Sequence, residues 1–424
     1  MRLLFVADGR SPIAWSWMEH FLKGDHEVHL ISTSPVSNTK SFASVRQVRV
    51  AFSGARSATS FASGSSRSDA IPHGGPGKMW IRSLMRHWLG PFTVAGAARR
   101  AHSLIQQIQP DLIHALRIPF EGMLAAGARS PVPLILSSWG NDFTLHARSS
   151  PGMGQLTRRA LQRTNGLITD CQNDVRNARD WGFSPEKQVL VVPGNGGVRT
   201  EIFHPRPVDP PSPRSRIWLE SIPESCRVVI NPRGIRSYVR NDTFFEAVPA
   251  ILAEHPEAVF LCPGMAGEPE AESWLRRLGV GRAVRLLPHL QAEEMAAIFR
   301  RADVSVSPSE HDGTPNTLLE AMACGCFPVA GDLVSIREWI EPGGNGLLID
   351  PARPDSLTQA VLEVLGAPSL RAQAAEFNAR LVQDWASYTD GMGKAEAFYE
   401  AVLGDARRSG ADDRPAKRHN SAML

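Results

Sequence analysis

Short apolar runs rich in Val, Ile and Leu alternate with amphipathic stretches along most of the chain. In the first half these runs predict strands at residues 3–7, 27–32, 45–51, 112–115, 133–137, 166–169 and 189–192. In the second half they fall at 227–231, 258–262, 284–287, 304–307, 328–330 and 347–349. Runs that are apolar throughout suit strands covered on both faces, and the helical stretches between them supply the crossovers of parallel sheets. The pattern therefore predicts an α/β protein with parallel layers in each half.

Breaks in the pattern divide the chain. Residues 204–216, HPRPVDPPSPRSR, are dense in proline and predict a stiff linker. The expected organisation is a first domain at 1–204, a linker at 205–216 and a second domain at 217–384. Within the first domain, residues 52–78 are rich in Ser and Gly and too long for an ordinary connection, which predicts a mobile loop. Tyr388, Met392, Phe398, Tyr399 and Val402 have helical spacing and predict a closing helix at 385–403. The polar tail at 404–424 has no periodicity and is expected to fray.

Bulk composition narrows the classes. A chain of 424 residues, 42% hydrophobic and 21% charged, suits two or three soluble domains. No run of 18 apolar residues occurs, and MRLLFVADGRSP reads as a buried first strand rather than a signal peptide. Five scattered cysteines point to reduced thiols and a cytoplasmic setting, with the inner face of the membrane as an alternative place of action. Cys324 and Cys326 lack a second pair, which argues against zinc. The net charge of +3 conceals an asymmetry, because residues 1–204 hold 23 Lys+Arg against 13 Asp+Glu and the remainder 23 against 30. No nucleic-acid motif accompanies the basic half, so an anionic membrane surface or an anionic acceptor is the better partner. In KMWIRSLMRHWLG, residues 78–90, apolar Met79, Trp80, Leu84 and Trp88 mix with Lys78, Arg82 and Arg86. That mix fits a helix on a membrane or against an amphiphilic substrate, but ordinary packing on a sheet is the preferred reading.

The strongest chemical signal is SPSEHDGTPNTLLEAMACGCFPVAGD, residues 307–332. It reads as a strand, a polar loop and a helix, with Thr314 as N-cap and Pro315 at the first helical position. The N–H groups of Asn316, Thr317 and Leu318 are then free to meet an anion. Asp312 stands just before the helix and Glu320 about a turn and a half inside it. A sugar nucleotide suits this arrangement: its diphosphate meets the helix N-terminus and its hydroxyls donate to the carboxylates. The plainer alternative is a common Thr-Pro helix start followed by a core stripe of Leu319, Met322 and Ala323, ended by Gly325.

Together these features resemble a GT-B glycosyltransferase, two Rossmann-like parallel-sheet domains facing a central cleft. More narrowly, the chain is similar to family four, the group 1 retaining enzymes that use nucleotide-diphospho-sugars. The resemblance rests first on Asp312-GTPNTLL-Glu320 and the following AMACG, two acids separated by seven residues. The first acid is usually Glu in that family, and Asp312 is one methylene shorter. The resemblance implies that Asp312 faces donor-sugar hydroxyls, that Gly313 to Leu318 line the donor, and that Glu320 holds the ribose. In NPRGIRSYVRND, Arg233 matches the family's diphosphate-binding arginine and Arg240 its lysine, with Arg236 as a rival because the spacing is long. Two cations opposite a helix N-terminus would stabilise the leaving diphosphate. No Asp-x-Asp string occurs, so metal independence and no cofactor beyond the donor substrate are expected.

Weaker matches extend the site. FLCPGMAGEPE suggests Gly264 and Gly267 near the nucleotide, and RLLPHL suggests His289 and Leu290 at the base. Glu338 and Asn345, in REWIEPGGNGLLIDP, are expected to be structural. In the first half, ADGRSP resembles the glycine loop of the cleft, with Gly9 for close backbone approach and Arg10 for a phosphate. LILSSWGNDF places Trp139 where the family often has histidine, leaving Asn141, Asp142 and the strand-end His114 as acceptor-side candidates. Residues 195–198 are expected to line the cleft.

The function implied is retaining transfer of a sugar to a glycan, lipid-linked or small-molecule acceptor, with attack on the face the diphosphate leaves. Alternatives are a non-catalytic GT-B protein that binds nucleotide or glycan, and a sugar-nucleotide epimerase, whose carboxylate–histidine set is not found. A dehydrogenase is disfavoured because no Gly-x-Gly-x-x-Gly follows the first strand.

Overall fold

A computed structural model describes residues 1–36, 39–51, 76–205 and 217–412, with 76–84 and 409–412 described as backbone. The first sheet contains β1 (Arg2–Ala7), β2 (Glu27–Ser32), β3 (Ser44–Gln47), β4 (Leu112–Ala115), β5 (Leu134–Ser137), β6 (Gly166–Thr169) and β7 (Gln188–Val191). All are parallel, in the order β3-β2-β1-β4-β5-β6-β7. The second contains β8 (Val228–Ile230), β9 (Val259–Pro263), β10 (Val284–Leu287), β11 (Val304–Ser307), β12 (Phe327–Gly331) and β13 (Leu347–Ile349). These too are parallel, in the order β10-β9-β8-β11-β12-β13.

Every strand read from the sequence is present. The largest difference is β3, expected to run to residue 51 but ending at Gln47. It is an edge strand whose last bond to β2 runs from Val48 N–H to the Ser32 carbonyl (2.9 Å), and Val48, Val50 and Ala51 beyond it are buried in the core with Val94 and Ala97 of the long helix that follows.

The helices are α1 (Pro12–Lys23), α2 (Pro76–Ile108), α3 (Met123–Gly127), α4 (Pro151–Arg163), α5 (Gln172–Asp180) and, in the second half, α6 (Asn241–Glu254), α7 (Pro269–Leu278), α8 (Ala292–Arg301), α9 (Asn316–Ala323), α10 (Pro354–Gly366), α11 (Pro368–Trp385) and α12 (Tyr388–Asp412). Local chemistry sets their starts. Ser11 and Ser150 accept from the N–H groups of Ala14 and Met153, each with proline next in the chain, and Gln291 with Glu294 forms a capping box.

On one face of the first sheet, α2, α3 and α4 bury Val94, Ala98, Ala101, Leu124, Met153 and Leu161. The opposite face is covered by α1 and, unexpectedly, by α12. Tyr399 stacks on Phe21 with ring centroids 4.8 Å apart and accepts a 2.9 Å hydrogen bond from Trp17 Nε1. The closing helix therefore returns to the first domain, and it runs to Asp412 rather than stopping at residue 403. Residues 404–412 correct the expected frayed tail, whereas 413–424 lie outside the described residues. Of the loop expected at 52–78, residues 52–75 lie outside them and 76–78 begin α2 instead; of the linker expected at 205–216, residues 206–216 lie outside them.

Each sheet reverses direction once, between β1 and β4 and between β8 and β11. Loops leaving neighbouring strands diverge there and open a crevice at the strands' carboxyl ends, where ligands of open α/β sheets bind. The two crevices carry Arg10 and Arg117 in the first domain, and Arg233 and Asp312 in the second.

Candidate functional site

The donor side is built on α9. Pro315, with φ −65° and ψ 129°, is the N-cap, so the helix starts at Asn316, one residue later than expected. Thr314 does not cap it. Its hydroxyl donates to the Asp170 carbonyl across the domain gap (2.6 Å) and accepts from Trp339 Nε1 (3.2 Å). Leu318 N–H is taken by the Pro315 carbonyl at 3.0 Å, which corrects its place among the free donors. Asn316 and Thr317 therefore supply the remaining first-turn N–H groups.

Arg233 lies over this turn. Its Nη2 is 2.5 Å from Asp312 Oδ2 and its Nη1 is 3.2 Å from Thr317 Oγ1. The residue is 9% exposed, and its Nε has no partner among the described residues. Asn231 fixes the loop by accepting from Arg233 N–H (3.2 Å) and donating to Asn241, which in turn donates to the Gly234 carbonyl. Asp312 is thus drawn onto Arg233.

The second expected cation is committed elsewhere. Arg240 donates from Nε and Nη2 to Asp242 (2.9 and 2.7 Å) and from Nη1 to Glu310 (3.1 Å), pairs that raise its pKa further. An acid two residues along the chain holds it back from the turn of α9. Its rival Arg236 is nearer to Arg233, donating to that residue's carbonyl at 2.9 Å.

Glu320 is half-buried and has no hydrogen-bond partner among the described residues. Burial pushes its carboxyl up to about 7. Gly264 takes a left-handed φ of +75°, and a Cβ there would stand 3.1 Å from the His289 ring. His289 is exposed beside it, whereas Leu290 packs into the core of the second domain.

In the first domain Gly9, expected to approach the donor, is required by space, since a Cβ would lie 2.3 Å from Val36 and 2.8 Å from Ser32 Oγ. Arg10 is held back by Asp8 through Nε and Nη2 (3.1 and 2.9 Å). His114 is a core residue. Its Nδ1 meets the Tyr399 hydroxyl, its Nε2 meets Ser137 Oγ at 2.8 Å, and burial lowers its pKa to about 3. The structure therefore puts it inside the first domain rather than in the cleft.

Asp142 is also buried and acts on its own loop, accepting from Arg117 Nε (3.0 Å), Ile118 N–H and Trp139 N–H (3.2 Å each). Arg117 reaches Asn141 as well (3.0 Å), and its guanidinium lies 5.4 Å from the Trp139 ring centroid. Sequence reasoning missed Arg117. Its signal was a position just beyond β4, at the reversal of the sheet. Arg86 lies 4.8 Å from the centroid of Phe120, a buried residue with φ +67°.

Asp170, just beyond β6, was also missed. Its Oδ2 accepts from Gly140 N–H (3.4 Å) in its own domain and from Thr314 N–H (3.2 Å) in the other. Its Oδ1 is buried without a partner among the described residues. Burial first, then the charge of nearby Asp174, raises its pKa well above the usual carboxylate range. Asp174 is pushed to about 7, mainly by burial. Asp170, Cys171 and Asp174 approach one another within 4.8 Å, but burial favours their protonated forms over metal-ligating ones. Gly140 and Gly313 touch beside Asp170, so that a Cβ on Gly140 would be 1.7 Å from Gly313 N. Glu338, expected to be structural, reaches across from the second domain and accepts from the first N–H groups of α5, Gln172 (2.8 Å) and Asn173 (2.7 Å). In the same region Gly194 packs against Asn316 and Leu319 of α9.

Two reversal-point crevices therefore face each other in a closed arrangement, one presenting an arginine over a helix N-terminus. Residues 12–194 match the Glycosyl transferase 4-like domain, and residues 234–367 match the Glycosyl transferases group 1 domain. The chain belongs to the group 1 glycosyltransferases and has their GT-B fold.

Similar curated proteins include the D-inositol 3-phosphate glycosyltransferase of Thermobispora bispora, 28% identical over 250 residues that cover 56% of each chain. Its counterpart in Nocardiopsis dassonvillei is 25% identical over 328 residues, covering 72% of this chain and 73% of that one. The chain thus spans about half to three quarters of the curated relatives it matches. Among solved structures, sucrose-phosphate synthase of Thermosynechococcus elongatus superposes with a TM-score of 0.68 at 15% identity, over 95% of this chain and 99% of the other. Anabaena HepE in complex with UDP and glucose gives 0.65 at 15% identity, over 95% and 100%.

Proposed function

We propose that the protein is a retaining glycosyltransferase that moves a sugar from a nucleotide-diphospho-sugar to an acceptor bound by the loops of the first domain. The observation that carries this reading is Arg233, clamped between Asp312 and Thr317 over the start of α9. An incoming diphosphate exchanges Asp312 for phosphate oxygens on the guanidinium and takes the N–H groups of Asn316 and Thr317. Asp312, released, accepts from donor-sugar hydroxyls. Glu320, with a carboxyl near neutrality and no partner among the described residues, meets the ribose hydroxyls.

As the bond between the anomeric carbon and the diphosphate breaks, an acceptor hydroxyl oxygen bonds to that carbon on the same face. Its proton passes to the departing phosphate oxygen. The closed contact of Gly140 with Gly313 excludes water that would otherwise hydrolyse the donor.

HepE was solved with UDP, which makes UDP-sugars the first donors to examine. Relatives named for D-inositol 3-phosphate, together with Arg10 and Arg86 on the acceptor side, favour an anionic acceptor. A thermal-shift and donor-turnover screen of UDP-, GDP- and ADP-sugars tests the reading. Stabilisation by one nucleotide together with release of its diphosphate is expected. Stabilisation with no turnover of any donor would favour a non-catalytic binding protein instead.

A further inference from the structure

The solvent face of α2 combines two features that ordinary packing on the sheet does not explain. Met85, Trp88, Leu89 and Phe92 recur at helical spacing and are 47%, 53%, 46% and 81% exposed. A soluble surface tolerates single apolar residues, but four within eight residues on one helix face form a patch that calls for a partner. The buried residues of the same helix, Val94, Ala97, Ala98, Ala101 and Ile105, already cover the sheet with its opposite face.

Charge identifies the occupant. The 33 residues of α2 contain Lys78, Arg82, Arg86, Arg99 and Arg100 and no Asp or Glu. Arg99 and Arg100 are exposed and continue the apolar stripe along the helix. Helix α4, packed beside α2, also lacks an acidic residue and exposes Arg158, Arg159 and Arg163. A stripe of Trp, Phe, Leu and Met that runs on into exposed Arg99 and Arg100, on a helix without an acid, matches the headgroup–acyl boundary of an anionic bilayer, where apolar side chains insert and cations meet phosphates.

We infer that the exposed face of α2 docks the protein on an anionic phospholipid surface. This holds independently of the proposed chemistry. If the acceptor is lipid-linked, a point that rests on the proposed function, docking keeps the cleft at its substrate's surface.

Co-sedimentation of the full chain with vesicles of phosphatidylcholine alone, or with one-third phosphatidylglycerol, tests the inference. Binding to the anionic vesicles should be at least roughly tenfold tighter, should weaken in about 0.5 M salt, and should blue-shift tryptophan fluorescence. Trp88→Ser with Phe92→Ser should lose insertion, and Arg99→Glu with Arg100→Glu should lose the preference for anionic lipid. Because these side chains are exposed, both doubles should keep the wild-type Tm. Equal affinity for the two vesicle types, or unchanged binding by both doubles, would overturn the inference. So would a stable dimer that Phe92→Ser dissociates without any vesicle binding, which would make a second copy the occupant. Soluble-donor turnover, measured in parallel, reports on the proposed function separately.

Discussion

Replacing Arg233 by alanine removes the cation that the account places on the leaving diphosphate. Its partner Asp312 is only 14% exposed at the side chain, so the substitution strands a largely buried carboxylate. Breaking such a pair costs about 3–5 kcal/mol in a fully buried site and less here, because Asp312 retains some solvent. In the nucleotide complex, one charge-assisted hydrogen bond is worth about 1.5–3 kcal/mol, or roughly 10- to 150-fold in affinity. Removing a donor aimed at charge developing in the transition state costs about 2.7–4 kcal/mol, so kcat/KM should fall by roughly 100- to 1,000-fold. Calorimetric titration of the nucleoside diphosphate and an assay of its release from the donor separate the two effects. Arg233→Ala with Asp312→Asn isolates the chemistry, because it removes the stranded charge. Its stability should recover toward wild type while turnover stays low. A folded Arg233→Ala protein whose nucleotide affinity and kcat/KM stay within threefold of wild type would refute the assignment.

Glu320 has a folded pKa raised from 4.5 to about 7, so its contribution to stability falls as pH rises between those values and stays reduced above them. Glu320→Gln should flatten that fall by on the order of 1–3 kcal/mol, read from Tm between pH 5 and 8, and should weaken nucleotide binding. Gly140→Ala places a Cβ 1.7 Å from Gly313 N of the other domain, so kcat should drop at least about 100-fold while chemical denaturation of the variant stays near wild type. Burial raises the Asp170 carboxyl well above its usual range, so the stability it lends the closed contact should fall as pH rises from the usual carboxylate range towards that raised pKa, even though the N–H groups of Thr314 and Gly140 favour the ionised form. Asp170→Asn should keep transfer near wild type at neutral pH, whereas Asp170→Ala should raise donor hydrolysis relative to transfer, measured as free sugar against product. His114→Ala leaves the Tyr399 hydroxyl and a cavity inside the first domain, so urea unfolding should show a loss of about 2–4 kcal/mol with KM for the donor unchanged.

The sheets were legible because their strands are continuous apolar runs. Such runs survive tertiary context when both faces are covered, as at β1, β8 and β9. Only the edge strand β3 was misjudged: beyond Gln47 one more bond reaches β2, from Val48 N–H to the Ser32 carbonyl, and the apolar positions then join the core that α2 covers. The loop and helix at Asp312–Glu320 were also visible, because spacing alone puts two acids around a helix start. The partners were not. The stripe of α12 showed an apolar face but could not say that it returns to Phe21 and Trp17. Arg240 fitted its motif position, yet Asp242 and Glu310 hold it elsewhere. Asp170 and Arg117 belong to no spaced pattern and acquire their roles from the sheet reversal and the closed domains. The capping expectation at Thr314 failed for a similar reason: its hydroxyl finds Asp170 across the gap.

The central claim is that a nucleotide-diphospho-sugar gives up its sugar in this cleft with its anomeric configuration kept. Proton NMR of the wild-type protein with UDP-, GDP- and ADP-α-sugars, followed from the first minutes, reads turnover and stereochemistry together. The account expects one donor to be consumed and the first product to carry the α configuration, with Arg233→Ala slowing its appearance at least about 100-fold. A β product, or consumption of the donor at the same rate by Arg233→Ala, would contradict it.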